Sequence, residues 1–600
     1  MSTEGQGQSV PEWPIRDYFC VGDGSSAVLL DPQAGCHFWC WPGFDGQLRL
    51  AALLDPAGGG SVGLSPASRP LSGAGWLESS RVVSYQGQPG LRIQAGLLPD
   101  GAQGSAVVWI VDGPPGAEVL ISLVDPTAGG GQGWSATRGG AELGPALLPD
   151  GPGGPLFLAS SLPVEVAPGG LLPRLGPEGL VVWLGGGDRA RRPPPLLARA
   201  VRSPVACARE TRRMLAAAVA EDRSWLQGLH RAAPLVGFRQ SAPPWALAAL
   251  DRSLLTLRGL QERNSGLLVA SPTTSIPQSP GSERAWDYRY AWLRDCADAG
   301  IALAHVGALS EARAVASGVG RILGEDPDLA APVRRLNGAA LPPEHVVAQL
   351  QGYSGAPVRI GNDAASQVQL DTLGEVARLA GELASAGECP DDLLRLVPTL
   401  ADSASRRWPL PDHGIWEVRN LPQDYVHSKV MAWTAMRVAT RLAEAGWISG
   451  PGRRWSQEVG AVEEAIDARG RGPGGGLAMS FQDPSADSAL LAAYVVSFID
   501  PNRAQASATL DNVLENLAVG PLLARHRPER DTIPAPCLPF IFPALWAAVA
   551  EARLGRRRAA ITRVEAICKL AGAAGQLSEV ADPASGSLWA TIPRCRATPH

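Results

Sequence analysis

The sequence predicts a multidomain β + α protein in which an antiparallel β-sandwich precedes a helical domain. Two observations support this prediction. The chain has 600 residues, which is too long for one compact core, and its hydrophobic pattern changes near residue 235. The predicted divisions are an N-terminal β-sandwich over residues 1–206, a linker helix over 207–240 and a helical domain over 241–600.

The sandwich prediction rests on short apolar runs bounded by glycine and proline. Runs of this length, separated by turn-forming residues at short spacing, are typical of antiparallel strands. The clearest runs are residues 26–31, 91–98, 105–113, 118–124 and 179–187.

The helical prediction rests on a different periodicity. Residues 207–233 have helical spacing and contain no glycine or proline before Gly228, which predicts the linker helix. Beyond it, apolar residues recur at i, i+3, i+4 and i+7 in stretches such as 371–387 and 425–446. About eleven helices are predicted between residues 244 and 572. Their irregular, glycine-rich loops favour a single closed helical domain over a regular solenoid.

The composition excludes several classes of function. The formal net charge is −5 and no basic run is present, so the sequence lacks the positive surface that nucleic acids and anionic membranes attract. No stretch approaches 18 uninterrupted apolar residues, and the polar N-terminus lacks a secretory signal. The nine cysteines are scattered, which indicates free thiols and no zinc site. We expect a cytoplasmic protein that binds neither nucleic acid nor membranes.

Residues 285–296 read AWDYRYAWLRDC and concentrate rings and opposite charges in a chain that is only 6% aromatic. In a structural role, the rings would pack in the core and arginine–aspartate pairs would cap a helix. In a binding role, aromatic faces would stack on a sugar ring while Arg294 and Asp295 bind its hydroxyl groups. Both roles are open at this point.

Two glutamates are candidates for a catalytic pair. Glu417 directly follows Trp416, and a carboxyl group beside a large apolar surface is partly desolvated, which suits a general acid. Glu579 lies just past the last predicted helix. Either glutamate alone is more often a cap or a solvated group. As a pair they suit glycoside hydrolysis, in which one carboxyl group protonates the leaving oxygen and the other activates water.

Residues 352–375 join a glycine-rich segment to a helix start that carries two glutamines and Asp371. In a structural role, this is a long loop followed by a helix that Asn362 or Asp363 caps. In a functional role, a polar loop of this length lines a pocket.

Six segments, in order, resemble glycoside hydrolase family 15, the group of bacterial glucoamylases, glucodextranases and trehalases. The resemblance covers nearly the whole chain. The segments are IRDYFCVGDGSSAVLL…HFWCWPGFDG (15–46), VASPTTSIP (269–277), WDYRYAWLRD (286–295), GYSGAPVRIGN (352–362), GIWEVR (414–419) and VHSKVMAW (426–433).

This resemblance implies that the helical domain is an (α/α)6 barrel with a cleft at one end. It implies inverting hydrolysis of a terminal α-linked glucosyl residue in an oligosaccharide or glucoside, without metal or cofactor. Glu417 would be the general acid and Glu579 the general base, with carboxyl groups about 6.5–9.5 Å apart. The implied substrate-binding residues are Trp286, Asp287, Tyr290, Trp292, Arg294, Asp295, Arg359, Asn362, Trp416, Arg419, His427 and Lys429.

The chain departs from the family pattern in its first and last segments. The arginine and serine of the family's "PRFDS" are Gly43 and Gly46 here, and the glutamate of "LPE" is Gln278. Near the end, IPAPCLPF (533–540) replaces an acidic element, and the tail after Glu579 lacks the segment that begins the twelfth barrel helix. Without that helix, an apolar seam would need cover from the N-terminal domain or from a second copy in a homodimer.

Three functions are consistent with these observations. The retained segments favour an inverting exo-α-glucosidase that acts on a short α-glucan or trehalose. The altered residues would also suit a specialised hydrolase of an unusual glucoside in secondary metabolism. The divergent tail would suit a catalytically silent saccharide-binding or regulatory module on the same scaffold.

Overall fold

The computed structural model describes the chain from residue 13 to residue 593, with internal gaps. Part of the divergent segment 533–540 and residues 594–600 of the tail lie outside the described residues. The gaps are residues 57, 67–69, 88–89, 101–103, 125–145, 152–153, 163, 168–169, 176, 187–193, 326–330, 420–421, 504 and 531–536.

The N-terminal part contains two antiparallel sheets of eight and seven strands, and all five predicted runs form strands. The strands are β1 (Phe19–Gly22), β2 (Ala27–Leu30), β3 (Cys36–Trp41), β4 (Gln47–Leu50), β5 (Ser61–Pro66), β6 (Gly73–Trp76), β7 (Val83–Gln86), β8 (Arg92–Pro99), β9 (Ser105–Asp112), β10 (Val119–Val124), β11 (Ala146–Gly151), β12 (Gly154–Ser160), β13 (Val164–Ala167), β14 (Gly170–Pro173) and β15 (Leu180–Gly186). The first sheet has the order β1-β2-β3-β5-β10-β14-β13, with β4 also paired to β3. The second has the order β11-β12-β15-β9-β8-β7-β6.

Strand β9 shows why these runs are apolar on both faces. Trp109 and Val111 point into the core between the two sheets. The alternate residues Val108 and Ile110 pack instead in a cluster with residues of helix Pro204–Arg231. Because side chains of a strand alternate between its two faces, a strand covered on both sides is a continuous hydrophobic run.

The rest of the described chain is mainly helical. Helices Pro195–Arg202, Pro204–Arg231 and Ala233–Ser241 connect the sheets to the helical region, and eleven α-helices follow in the described residues. The eleven are Pro244–Leu260, Leu293–His305, Leu309–Glu325, Asp371–Ser385, Asp391–Arg407, Val426–Glu444, Gly452–Arg469, Ala492–Val495, Ala508–Leu517, Ile541–Arg553 and Arg557–Cys568. None of the helices in the described ranges is long and apolar enough to cross a membrane.

Consecutive helices of this region differ in burial. Asp371–Ser385 and Val426–Glu444 are buried on most of their surface. Asp391–Arg407 and Gly452–Arg469, which follow them in turn, bury only one stripe of side chains. This alternation indicates an inner and an outer layer of helices.

The first sheet packs directly on the helical region. One buried cluster contains Tyr18, Phe38 and Leu53 together with residues of the inner helices. The Gln576 side chain also bonds the Cys20 backbone, accepting from its N–H at 2.9 Å and donating to its carbonyl at 3.0 Å. The first sheet therefore covers apolar surface of the helical region, and cover of the seam that a missing twelfth helix would leave stays a prediction.

Candidate active site

Glu417 lies in a tight turn between the outer helix Asp391–Arg407 and the inner helix Val426–Glu444. Its backbone is in the left-handed region, with φ of +56°, and Gly414 three residues earlier has φ of +63°. A non-glycine residue in this conformation is strained by roughly 1–2 kcal/mol, so the surrounding contacts must hold it. The Glu417 side chain is 24% exposed. The turn thus presents a carboxyl group that is mostly enclosed but still reachable from solvent.

The Glu417 carboxyl group joins this turn to the dense stretch 285–296. Its Oε1 atom accepts from Trp292 Nε1 at 2.7 Å and from Arg294 Nη2 at 3.0 Å. Two of the predicted substrate-binding residues therefore contact the predicted general acid directly. They fix the orientation of its carboxyl group.

Arg294 is the centre of a buried charge network. Its Nη1 atom donates to Gln369 Oε1 at 2.9 Å and to Asp371 Oδ2 at 3.0 Å. Burial disfavours the guanidinium charge, but the carboxylates of Asp371, Asp295 and Glu417 outweigh it and raise the pKa of Arg294. Asp295 is completely buried at the start of the same helix. The network supplies a permanent positive charge beside Glu417.

Glu579 is buried, directly before a short hairpin of strands Val580–Asp582 and Ser587–Trp589. The Tyr288 hydroxyl donates to its Oε2 atom at 3.0 Å. The Tyr288 ring in turn packs against Trp292, with ring centroids 5.8 Å apart. One pair of adjacent rings therefore contacts both glutamates, and the carboxyl separation of about 6.5–9.5 Å stays a prediction.

Trp416 forms an aromatic wall next to Glu417. Its ring lies 5.5 Å from Phe540 and 5.6 Å from Phe542, measured between centroids. The indole Nε1 donates to Asp487 Oδ1 at 2.9 Å. Burial raises the pKa of Asp487 to about 7 although this bond and the Ala489 amide oppose the rise. The wall is thus anchored at its polar end by a single buried carboxyl group.

The predicted residues Trp286, Arg359 and Arg419 form a separate cluster around Glu344. The Arg359 and Arg419 guanidinium groups lie 4.7 and 3.9 Å from the Trp286 ring centroid. Arg419 also makes two bonds to the Glu344 carboxylate, of 3.0 and 2.6 Å. Because Arg419 lies two residues after Glu417, this cluster is attached to the Glu417 turn.

Asp287 and Tyr290 are enclosed by protein groups. Arg289 donates to both oxygens of Asp287 at 2.8 Å, and the Tyr290 hydroxyl donates to Oδ2 at 3.0 Å. Asn362 is equally committed, because its Oδ1 atom caps a short helical turn by accepting from the Ala364 amide at 3.0 Å. These contacts favour structural roles, and direct substrate binding by the three predicted residues stays a prediction.

His427 and Lys429 lie in the first turn of helix Val426–Glu444. His427 is buried and stacks on Trp546, with ring centroids 6.3 Å apart. Lys429 is fully buried, and its ammonium group contacts the Leu410 carbonyl at 2.6 Å and Asp424 at 3.0 Å. The Lys429 contacts hold the segment on both sides of Glu417, and substrate contact by the two residues is likewise a prediction.

Sequence reasoning missed several residues of this site. Tyr288 lies inside the dense stretch, where its spacing from Trp292 was a usable signal. Gln369 and Asp371 lie in the polar segment 352–375, whose sequence does not indicate a role for either residue. Glu344 and Asp487 are isolated carboxylates with no surrounding pattern. Within the described ranges, no group of three or more histidine, cysteine, aspartate or glutamate residues could hold a metal ion.

Part of the chain is similar to proteins of a known family. Residues 245–533 match the family model of glycosyl hydrolases family 15. The chain is 31% identical over 358 residues to a trehalase of Mycolicibacterium smegmatis, covering 58% of this chain and 53% of that protein. It is 33% identical over 294 residues to a trehalase of Mycobacterium tuberculosis, covering 47% of this chain and 42% of that protein. The chain thus spans about half the length of these curated relatives.

The fold has a counterpart among solved structures. The crystal structure of a bacterial glucoamylase complexed with acarbose matches all of this chain and 94% of that chain, with a TM-score of 0.63 and 12% identity. At this identity the likeness concerns the fold, which combines N-terminal antiparallel sheets with a helical C-terminal region. Together with the family match over residues 245–533, it shows that the chain is similar to glucoamylases and trehalases of glycosyl hydrolase family 15.

Proposed function

We propose that this chain is an inverting, exo-acting α-glucosidase in which Glu417 is the general acid and Glu579 the general base. The proposal rests on the adjacent rings of Tyr288 and Trp292. The Tyr288 hydroxyl donates to Glu579, and the Trp292 indole N–H donates to Glu417. Inverting glycoside hydrolysis requires two carboxyl groups, one on each side of the scissile bond. The oriented bonds on both groups favour an active site over a silent binding module.

The proposed architecture of the helical region is an (α/α)6-type barrel. The alternation of enclosed and half-exposed helices supports an inner ring and an outer ring. In this arrangement, Leu293–His305 begins directly after Trp292 and belongs to the inner ring. The cleft would then open where the inner helices begin, because Arg294, Asp371 and the Glu417 turn all lie at such ends.

The acid step follows from the contacts of Glu417. Its Oε1 atom already accepts two N–H bonds, so we assign the transferable proton to Oε2. That proton passes to the glycosidic oxygen as the bond from this oxygen to the anomeric carbon breaks. Arg294 then stabilises the resulting carboxylate, because it remains charged in the buried network.

The base step occurs on the opposite face of the sugar ring. Glu579 takes a proton from a water molecule while the water oxygen bonds to the anomeric carbon. The Tyr288 hydroxyl donates to Oε2 of this carboxylate and orients it. Attack from the face opposite the leaving group inverts the anomeric centre, so an α-linked glucosyl residue is released as β-glucose.

The proposed substrate is a terminal α-linked glucosyl residue, with trehalose as the first compound to test. The trehalase names of the curated relatives support this choice. Arg294 and Asp295 would bind the hydroxyl groups of the glucose, and Trp292 and Trp416 would form its walls.

The test is glucose release from trehalose, maltose, maltotriose, isomaltose and an aryl α-glucoside. Each substrate is assayed with the wild type, with Glu417→Gln and with Glu463→Gln. Glu463 is a matched control, because it accepts an indole N–H from Trp433 at 2.9 Å on an outer helix. Glu417→Gln should lower kcat by about three orders of magnitude or more and leave KM nearly unchanged.

Each outcome has a defined meaning. Release that is lost only in Glu417→Gln supports the proposal and names the linkage. Release from the aryl glucoside alone would point to a specialised hydrolase. No release from any substrate, or release that survives Glu417→Gln, would overturn the proposal.

A further inference from the structure

The strained turn at Glu417 is held on both sides. Upstream, the Trp416 indole is bonded to Asp487. Downstream, the Gln367 side chain donates to the Glu417 and Val418 carbonyls, both at 3.2 Å. Arg419 is the first charged residue after Glu417. The contacts of Arg419 therefore influence the orientation of the Glu417 carboxyl group.

Arg419 is held by Glu344, which lies in the long connection between helices Leu309–Glu325 and Asp371–Ser385. Besides its two bonds to Arg419, the Glu344 carboxylate accepts from the Asp363 amide at 3.2 Å and lies 3.6 Å from Arg359. The Glu344 side chain is only 10% exposed. A bidentate guanidinium–carboxylate pair in such an enclosed place is geometrically specific.

The charges of this cluster depend on Glu344. Burial alone would raise the pKa of Glu344, but Arg419, the Asp363 amide and Arg359 outweigh it and lower the pKa. Burial lowers the pKa of Arg359, and the positive charge of Arg419 adds to this effect. The two guanidinium groups share the Trp286 ring and repel each other. Without the Glu344 carboxylate, the Arg359 and Arg419 guanidinium groups would move apart. Because Arg419 lies two residues after Glu417, its movement would displace the backbone of the turn.

We propose that Glu344 is a positioning residue for Glu417, because it holds Arg419 beside Arg359 and so fixes the turn that aims the general acid. This inference rests on the proposed function. It predicts a specific defect, since a misdirected acid impairs proton donation more than it impairs sugar binding. Displacement of a catalytic group by about 1 Å lowers the rate by about 100-fold.

The test compares two substrates that differ in their need for a proton. The first is the best-hydrolysed natural glucoside from the panel above. The second is α-glucosyl fluoride, whose leaving group departs with little protonation. Glu344→Gln should lower kcat on the natural glucoside by about 10–100-fold, with KM changed less than about threefold, and should lower kcat on the fluoride less than about threefold.

Glu551→Gln is the matched control. Glu551 forms a comparably buried two-bond pair with Arg563, of 2.6 and 3.2 Å, between the last two helices. It should lose stability without a change in the ratio of the two substrates. A second measurement uses Arg419→Gln alone and combined with Glu344→Gln. If the residues act as a pair, the double variant loses no more activity than the less active of the two single variants.

The outcomes separate this inference from the proposed function. If the wild type hydrolyses neither substrate, the proposed function is wrong and this inference falls with it. If the wild type hydrolyses both and Glu344→Gln is unchanged, or loses both substrates equally, only the positioning role is wrong. Additive losses in the double variant would also overturn the positioning role, since Arg419 would then act independently of Glu344.

Discussion

Arg289 and Arg294 lie five residues apart in one dense stretch, and both are almost fully buried, but their networks differ in one respect. Arg289 bonds to both oxygens of Asp287 and reaches the Gly46 carbonyl of the N-terminal domain at 2.9 Å. Every one of these partners is enclosed or belongs to the backbone. Arg294 bonds to Asp371 and also to Glu417, whose side chain is partly exposed.

The comparison shows how similar buried charges acquire different roles. A network whose members are all enclosed joins segments of the chain and offers nothing to a ligand. A network with one reachable carboxyl group can orient that group and stabilise its charge. We therefore treat the Arg289 network as structural and the Arg294 network as part of the proposed active site.

The largest expected effect concerns the proposed active site, at Glu579. Glu579→Gln should lower kcat by about 10³-fold, because the amide cannot accept a proton from the attacking water. Steady-state kinetics on the best substrate of the panel measure this loss. Asp582→Asn, at a half-buried position of the same hairpin, should stay within about twofold of the wild type. Activity above about one-tenth of wild type in Glu579→Gln would contradict its assignment as the base.

A substitution in the Arg289 network should lower the stability of the protein and leave kcat nearly unchanged. Asp287→Asn leaves the Arg289 charge buried without its carboxylate, so the free energy of unfolding should fall by about 3–5 kcal/mol. The folded fraction should keep its kcat within about threefold. Urea unfolding and kinetics on the same samples test both statements. Asp402→Asn, at a more exposed pair with Arg454, should cost less than about 1 kcal/mol. A large loss of kcat without loss of stability would move Asp287 into the active site.

Asp412 sharpens the comparison because it is a buried carboxyl group without a guanidinium contact among the described residues. Burial raises its pKa to about 7, although the Leu370 amide and the Ser428 hydroxyl donate to it. An unfolded chain has an aspartate pKa near 3.9, so between about pH 4 and pH 7 the folded state binds more protons. This carboxyl group therefore makes the free energy of unfolding fall as pH rises through that window, by up to about 1.4 kcal/mol per pH unit.

Asp412→Asn should remove this contribution. Its free energy of unfolding should decline less than that of the wild type between pH 5 and pH 7, as measured by urea unfolding at both values. Asp402→Asn again serves as the control and should keep the wild-type slope. Equal slopes in Asp412→Asn and the wild type would show that Asp412 titrates normally.

The smallest expected effect concerns Asn362, at the edge of the Arg289 network. Asn362→Ala removes the cap on the Ala364 amide and should lower the free energy of unfolding by about 1 kcal/mol. KM should be unchanged, because the side chain is committed to the backbone. A KM increase of about tenfold with normal stability would instead support the substrate contact that the family resemblance implies.

Most secondary structure could be predicted from the sequence, because it depends on neighbouring residues. The run 105–113 alternates between two buried faces and formed strand β9. The stretch 425–446 has a helical apolar pattern and formed helix Val426–Glu444. Both patterns are complete within one short segment, so no distant residue is needed to interpret them.

The site could be predicted only in part. Glu417, Trp292 and Arg294 lie in recognisable motifs, and they do meet in the structure. Glu344 could not be identified, because its partners lie up to 75 residues away and no local pattern marks it. The roles of Asp287 and Asn362 were equally hidden, since a carboxylate or amide has the same sequence signature whether it faces a sugar or a buried arginine.

The sequence by itself determined which segments become strands and helices and which motifs carry acidic and aromatic side chains. The tertiary structure alone decided which of those side chains are enclosed and which remain reachable. The physical reason is that hydrogen-bond partners and burial depend on residues brought together by packing. Periodicity along the chain records only the face on which each residue lies.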